Sequence, residues 1–187
     1  MAERTDRGTV LIDIAREAIG ERLGLASIRR RDEPWLAQPA ATFVTLRLDE
    51  ALRGCIGSLD PRRPLGDDVA HNARAAAFSD PRFEPLAAVE FRAIAVEVSV
   101  LSPRTPIEAA SEAQAAARLR PGVDGVYLEY QGLAATFLPQ VWEDLPDPVE
   151  FLAALRHKAR LPARFWDPAI RLTRYTVEKY RDGYPAH

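Results

Sequence analysis

A chain of 187 residues with 47% hydrophobic and 28% charged residues has the material for one large domain or two small lobes around a sizeable core. Its 25 basic and 27 acidic residues leave a formal net charge of −2, which gives no global electrostatic footprint for nucleic acid. One cysteine excludes an intramolecular disulfide and any zinc site built on paired cysteines. The histidines at 71, 157 and 187 are far apart, so no metal is expected. No apolar run approaches the about 20 residues that span a bilayer. The charged residues 1–7 do not read as a signal peptide, and a cytoplasmic location with Cys55 reduced is expected.

Val10, Leu11, Ile14, Ala15, Ala18, Ile19 and Leu23 recur at three and four, predicting an amphipathic helix that ends near Gly24. Residues 25–40 read as a connector in which Arg29, Arg30 and Arg31 meet Asp32 and Glu33 in a solvated turn, with Trp35 and Leu36 tucking back. Val44, Leu46 and Leu48 alternate with polar residues in a strand, Asp49-Glu50 turns the chain, and residues 51–58 return as a second strand. Glycines at 54 and 57 weaken a strand, so they imply a bulge or a backbone that something approaches closely. Leu65, Val69, Ala73, Ala76 and Ala77 mark one face of a second helix, closed by Pro81.

Ile94, Val96, Val98 and Val100 alternate with Ala95, Glu97 and Ser99 in the clearest strand of the chain. Thr105-Pro106-Ile107-Glu108 has the form of a capping box with proline at the first helical position, and predicts a helix start. Val126, Leu128 and Tyr130 form a strand, Gln131-Gly132 turns, and residues 133–138 return. Asp147-Pro148-Val149-Glu150 opens a further helix with Phe151, Leu152, Leu155 and Ala159 on its core face, and a last strand is expected over residues 170–180. Hairpins with interspersed helices predict an α+β fold, mainly antiparallel sheet with flanking helices. No glycine-rich phosphate loop follows a strand, which argues against a nucleotide-binding fold, and no cofactor is expected.

Leu52-Arg53-Gly54-Cys55-Ile56-Gly57 concentrates the unusual residue choices. Cys55 reads either as a nucleophile, with Arg53 and glycine-exposed amides favouring its thiolate, or as a small buried apolar group. Arg82, between Pro81 and Pro85, is either a fixed two-pronged donor to an anion or a structural tie, and Asp80 either caps locally or pairs with it. Thr136 and Gln140, where a strand ends at Pro139, can present hydrogen bonds at a sheet end. His71 reads as a general acid or base, or as an exposed polar residue of its helix; Lys158 as a helix C-terminal cation or an imine former. Cys55 is thus the candidate catalytic residue, and Arg53, Gly54, Gly57, Asp80, Arg82, Thr136 and Gln140 are the candidate ligand-binding residues. Arg53 and Arg82 are expected to converge on a small anionic or polar ligand, or else one of them pairs with Asp80 or Glu84 and ties the turn to the sheet.

With these motifs, continued by residues 75–86, 98–103 and 137–142, the chain closely resembles the AMMECR family, protein A of the AmmeMemoRadiSam system. Four ordered motifs carry the resemblance from the first helix to the last strand. It implies that residues 1–187 form one domain of this type, with a larger and a smaller lobe and a cleft between them lined by the shared motifs. It also implies a Memo-like protein and a radical S-adenosylmethionine protein as partners, and no established activity. The family commonly has Lys-Ala-Gly-Leu where Lys158-Ala159-Arg160-Leu161 stands here, and often a cysteine at the position of His157. Two functions compete: a small-molecule enzyme or catalytic partner using the cleft, and a non-catalytic adaptor docking to those proteins. A nucleic-acid regulator is disfavoured by the net charge and by the lack of a basic stripe interleaved with aromatics.

Overall fold

A computed structural model describes residues 6–162 and 164–182. In chain order its elements are α1 (Arg7–Arg22), a 3-10 turn (Pro34–Ala37), β1 (Pro39–Leu48), β2 (Ala51–Gly57), β3 (Arg63–Pro64), α2 (Leu65–Phe78) and β4 (Ala95–Leu101). There follow β5 (Thr105–Pro106), α3 (Glu112–Arg118), β6 (Gly125–Tyr130), β7 (Leu133–Phe137), a 3-10 turn (Pro139–Glu143), α4 (Pro148–Lys158), β8 (Arg171–Tyr175) and β9 (Val177–Arg181). Helices and two separate sheets make an α+β fold, and the chain divides into two compact units: Met1–Leu101 with Glu178–His187, and Ser102–Val177.

In the first unit a five-stranded sheet runs in the order β2-β1-β4-β9, with β3 pairing β1 antiparallel. β1 starts at Pro39, inside the stretch expected as connector, because Pro39 and Ala40 have Pro64 and Arg63 to pair with. Val44 lies opposite both Ile56 and Val98, so one face of the three central strands is aliphatic. That face packs on Leu11, Ala15 and Ile19 of α1 and on Val69, Ala73 and Ala76 of α2. By alternation the other face carries Phe43, Thr45, Cys55, Glu97 and Ser99. The β1–β2 hairpin turns through Asp49 and Glu50, both with positive φ (49° and 64°), as a two-residue turn that matches strand twist requires. α1 closes at Gly24, φ 71°, where Leu25 N–H donates to Gly20 O and Gly24 N–H to Glu21 O.

A buried polar knot fixes α2 against this sheet. The Asp68 carboxylate, fully buried, accepts from Thr42 N (2.9 Å), Thr42 Oγ1 (2.8 Å), Ser58 Oγ (2.7 Å), Asn72 Nδ2 (3.0 Å) and Arg63 Nη1 (3.2 Å). Asn72 also donates to Thr42 O at 3.0 Å. Each buried donor in the knot therefore has an acceptor, the condition under which such groups are tolerated.

In the second unit the strand order is β5-β8-β6-β7. Gln131 and Gly132, φ 46° and 82°, make the expected hairpin turn between β6 and β7. The helix expected at Thr105 is absent. Thr105 and Pro106 instead pair with Arg174 and Thr173, Ile107 N–H donates to Leu172 O at 2.8 Å, and Ile107 is buried in the core of this unit. A local capping signature is overridden there by sheet pairing, and α3 begins instead behind Ser111, whose side chain caps Gln114 N. The second signature does open a helix: Asp147 Oδ1 accepts from Val149 N (2.8 Å) and Glu150 N (3.0 Å) at the start of α4. The single strand expected over residues 170–180 is two strands, β8 in this sheet and β9 in the other, separated at Thr176, whose N–H and C=O bond to Ser102.

α4 ends in the same paired closure as α1, with Leu161 N–H on Arg156 O and Arg160 N–H on His157 O. Here the left-handed position is Arg160, φ 62°. A side chain there costs about 1–2 kcal/mol relative to glycine. Arg160→Gly, the residue common in the resembled family, is expected to raise unfolding stability by about 0.5–1 kcal/mol, net of the extra freedom glycine gives the unfolded chain. Urea titration checks this, and a lowered midpoint would contradict the strain argument.

Candidate functional site

The Arg-Gly-Cys-Ile-Gly segment is β2, an edge strand. Its register with β1 runs Leu46 opposite Gly54 and then Arg47 opposite Leu52, so Arg53 is the extra residue of a bulge. The bulge sends the Arg53 side chain to Glu90, with Nε and Nη2 on the two carboxylate oxygens at 2.8 and 3.0 Å and Nη1 on Glu84 O at 3.0 Å. Arg53 in turn holds the Glu90 carboxyl below its usual range, against the opposing effect of burial.

What closely approaches the two glycines is the protein itself. A Cβ on Gly54 would fall on the Ala76 carbonyl oxygen of α2, and one on Gly57 would fall inside the Phe43 ring opposite it. Between them, Cys55 is held by its backbone on the free side of the edge strand. Its N–H donates to Asp80 Oδ2 at 2.9 Å, and its C=O accepts from Arg82 Nη2 at 3.3 Å. Asp80, just beyond α2, is 4% exposed and accepts four N–H groups: Cys55 N, Arg82 N (3.1 Å), Arg82 Nε (2.9 Å) and Arg82 Nη2 (2.7 Å). The Arg82 side chain first, and the Cys55 and Arg82 amides after it, hold the Asp80 carboxyl well below the usual carboxylate range despite burial. Asp80 and Arg82 thus satisfy a stretch of sheet edge that would otherwise be open to pairing.

The Cys55 side chain is half-buried, and Thr45 Oγ1 donates to its sulfur at 3.4 Å. Thr45 also lies directly opposite Glu97 on β4, so thiol, hydroxyl and carboxylate residues stand in one row across three adjacent strands. Thr45 and Glu97 were not singled out from the sequence; the signal was present as an acidic residue inside the most apolar strand. Arg82 remains half-exposed, its guanidinium 5.4 Å from the Phe83 ring centre.

Of the other candidates, His71 is exposed on α2. Thr136, on β7 of the second unit, donates to Val126 O at 2.9 Å and lies 2.8 Å from the Tyr175 hydroxyl. Gln140 is exposed in the 3-10 turn after that strand. Lys158 stands in the basic last turn of α4, where the sequence reading put it, and its Nζ donates across to Thr136 O at 2.9 Å and sits 5.0 Å from the Phe137 ring centre.

The AMMECR1 family pattern matches residues 12–180. A protein of Methanothermobacter thermautotrophicus is 40% identical over 182 residues, which cover 95% of each chain. One from Thermococcus gammatolerans is 37% identical over 190 residues, covering 95% of this chain and 91% of its own. The crystal structure of an uncharacterized protein from Pyrococcus horikoshii superimposes with a TM-score of 0.82 at 34% identity, over 95% of this chain and 92% of that one. Pattern, relatives and fold agree over nearly the whole length, and the chain belongs to the AMMECR1 family.

Proposed function

We propose that this protein handles a small polar or anionic molecule at the Cys55 face of the first sheet, as an enzyme or as the catalytic partner of a Memo-like protein and a radical S-adenosylmethionine protein. One observation carries the reading: Cys55, a partly buried residue, is fixed through both its N–H and its C=O while its sulfur accepts from the Thr45 hydroxyl. Holding a reactive group rigidly by its neighbours is what a binding or catalytic site requires and what a packed thiol does not need. In this reading Cys55 is the reacting group, Thr45 orients its sulfur, and Arg82 offers its remaining donors to the ligand. Arg53, Asp80, Gly54 and Gly57 shape the strand that presents the thiol.

The adaptor reading has its own observation. Val89 is 88% exposed and Leu52 37%, and they flank the Arg53–Glu90 pair in sequence, an apolar edge suited to docking. Mixing the purified chain with its two proposed partners separates the readings. Cys55→Ser is expected to stop small-molecule turnover by the mixture, by about 100-fold or more on the scale of a lost nucleophile, and to leave co-sedimentation intact. Full turnover with Cys55→Ser, together with loss of co-sedimentation in Val89→Asp, would replace the catalytic reading with the adaptor one.

A further inference from the structure

Residues 25–33 lead from α1 to the Pro34–Ala37 turn without a helix or strand of their own. Gly24, at φ 71°, turns the chain back along α1, and the Leu25 and Ala26 amides still bond to Gly20 O. From Ser27 to Glu33 the backbone N–H groups make one hydrogen bond among the described residues, Arg29 N to Glu17 Oε2 at 3.0 Å. Apolar burial adds little, since Leu25 and Ile28 are each 52% exposed. Beyond the segment, Trp35 and Leu36 pack against the core. The segment is thus a strap anchored at both ends and tied in the middle to α1.

Glu17, buried on α1, is the centre of that tie. Arg31 reaches it through Nη1 (2.7 Å) and Nη2 (2.9 Å), and Arg29 through Nε as well as N. Asp13, one turn earlier, meets Arg29 at 3.2 Å from a more exposed position. The hydrogen bonds from Arg31 do most to bring the Glu17 carboxyl from 4.5 down to about 2. Lifting the strap would return these ions to water and recover the desolvation that burying them cost, so the tie opens more easily than its contacts suggest. A segment with few buried contacts and few protected amides belongs to the low end of local stability.

The strap also walls a cavity of about 720 Å³, within the range of about 300–1,000 Å³ that small-molecule sites occupy. Ile28, Arg29 and Arg31 line one side, and Ile14, Ala18 and Ala70 give apolar surface on the helices. α1 and α2 rest on the sheet through Leu11, Ile19, Val69 and Ala73, so the helical walls stay in place when the strap lifts. We infer that residues 25–33 are a flap on this cavity, swinging from Gly24 and latched by Glu17, which closes against a small molecule with an apolar body. The inference does not depend on the reading of Cys55.

Hydrogen exchange and trypsin test the flap in the full chain at neutral pH. The Arg29 amide is expected to exchange about tenfold more slowly than those of Ile28 and Arg30, after correction for their intrinsic rates. Glu17→Gln and Arg31→Gln break the latch from its two sides. Each should remove that protection and speed cleavage after Arg29 and Arg30 about tenfold, while the Val44 and Val98 amides of the core keep their rates. Neutral N-phenyl-1-naphthylamine probes the apolar surface by fluorescence. Closing and binding are linked, so saturating probe should slow wild-type cleavage at these sites, and Glu17→Gln should weaken probe binding about tenfold. Ala70→Leu, which fills the cavity and leaves the latch alone, should abolish the probe's protection. An Arg29 amide no slower than its neighbours, cleavage unchanged in both latch variants, or core amides loosening together with the strap in both would overturn the flap. So would a probe that does not bind, or one that binds without slowing cleavage.

Discussion

Asp68→Ala is expected to lower the free energy of unfolding by about 3 kcal/mol or more. The carboxylate it removes is fully buried and is the common acceptor for Thr42 N–H, the Thr42 and Ser58 hydroxyls and the Asn72 amide. Truncation leaves several buried donors without an acceptor, and Arg63 without its carboxylate. Such a loss is a large share of the about 5–15 kcal/mol that holds a domain together. Asp68→Asn keeps the shape but turns an N–H₂ group toward other donors, and a loss of about 2 kcal/mol is expected. Urea unfolding of both variants decides it: losses under about 1 kcal/mol would mean that the knot is a passenger on the hydrophobic packing. The knot bears on the candidate site because it ties α2 to β1 and to Ser58 beyond β2, while Asp80, just past the end of the same helix, clamps Cys55.

Asp80→Ala should cost about 3 kcal/mol and also release the strand edge that presents Cys55. It removes an acidic partner from a half-exposed arginine and the acceptor from a backbone N–H on the sheet edge. Asp80→Asn keeps an oxygen for the Cys55 amide and loses only the charge, so a smaller loss of about 1–2 kcal/mol is expected. The pH dependence has a definite sign. Asp80 titrates near 3.8 when free and well below that in the fold, because of Arg82. Its contribution is therefore complete above about pH 4 and is lost as the pH falls toward the lowered value. The stability gap between wild type and Asp80→Asn should be widest near pH 6 and close toward pH 2; a gap independent of pH would show that the Arg82 pair contributes nothing. Alkylation of Cys55 is the second readout. Its rate should rise about tenfold in Asp80→Ala, on the scale of a local opening made easier by about 1.4 kcal/mol.

Much of the local structure was legible from pattern alone. The period of α1 with Gly24 behind it, the two-residue turns at Asp49-Glu50 and Gln131-Gly132, and the Asp147 cap of α4 all rest on contacts a few residues apart. Where a local signal met a sheet, the sheet won. Thr105 and Pro106 pair with β8 instead of starting a helix, and the final apolar run is divided between two sheets at Thr176. No short-range rule contains the information about which strand edge needs a partner.

The candidate site shows the same division. Sequence by itself determined that residues 52–57 and 78–83 were exceptional, since glycine, cysteine, proline and arginine in those positions have no use in a plain core, and it also identified the family they resemble. Only the tertiary structure decided what each residue does. It turned Gly54 and Gly57 into clearances for Ala76 and Phe43, engaged Arg53 with Glu90 and Arg82 with Asp80, and set Thr45 between Cys55 and Glu97. The physical reason is range: conformational preference acts over a few neighbours along the chain. Hydrogen bonds, ion pairs and close approach act across space, between Cys55 and Asp80 or Arg53 and Glu90, and exist only once the helix and the strands have packed.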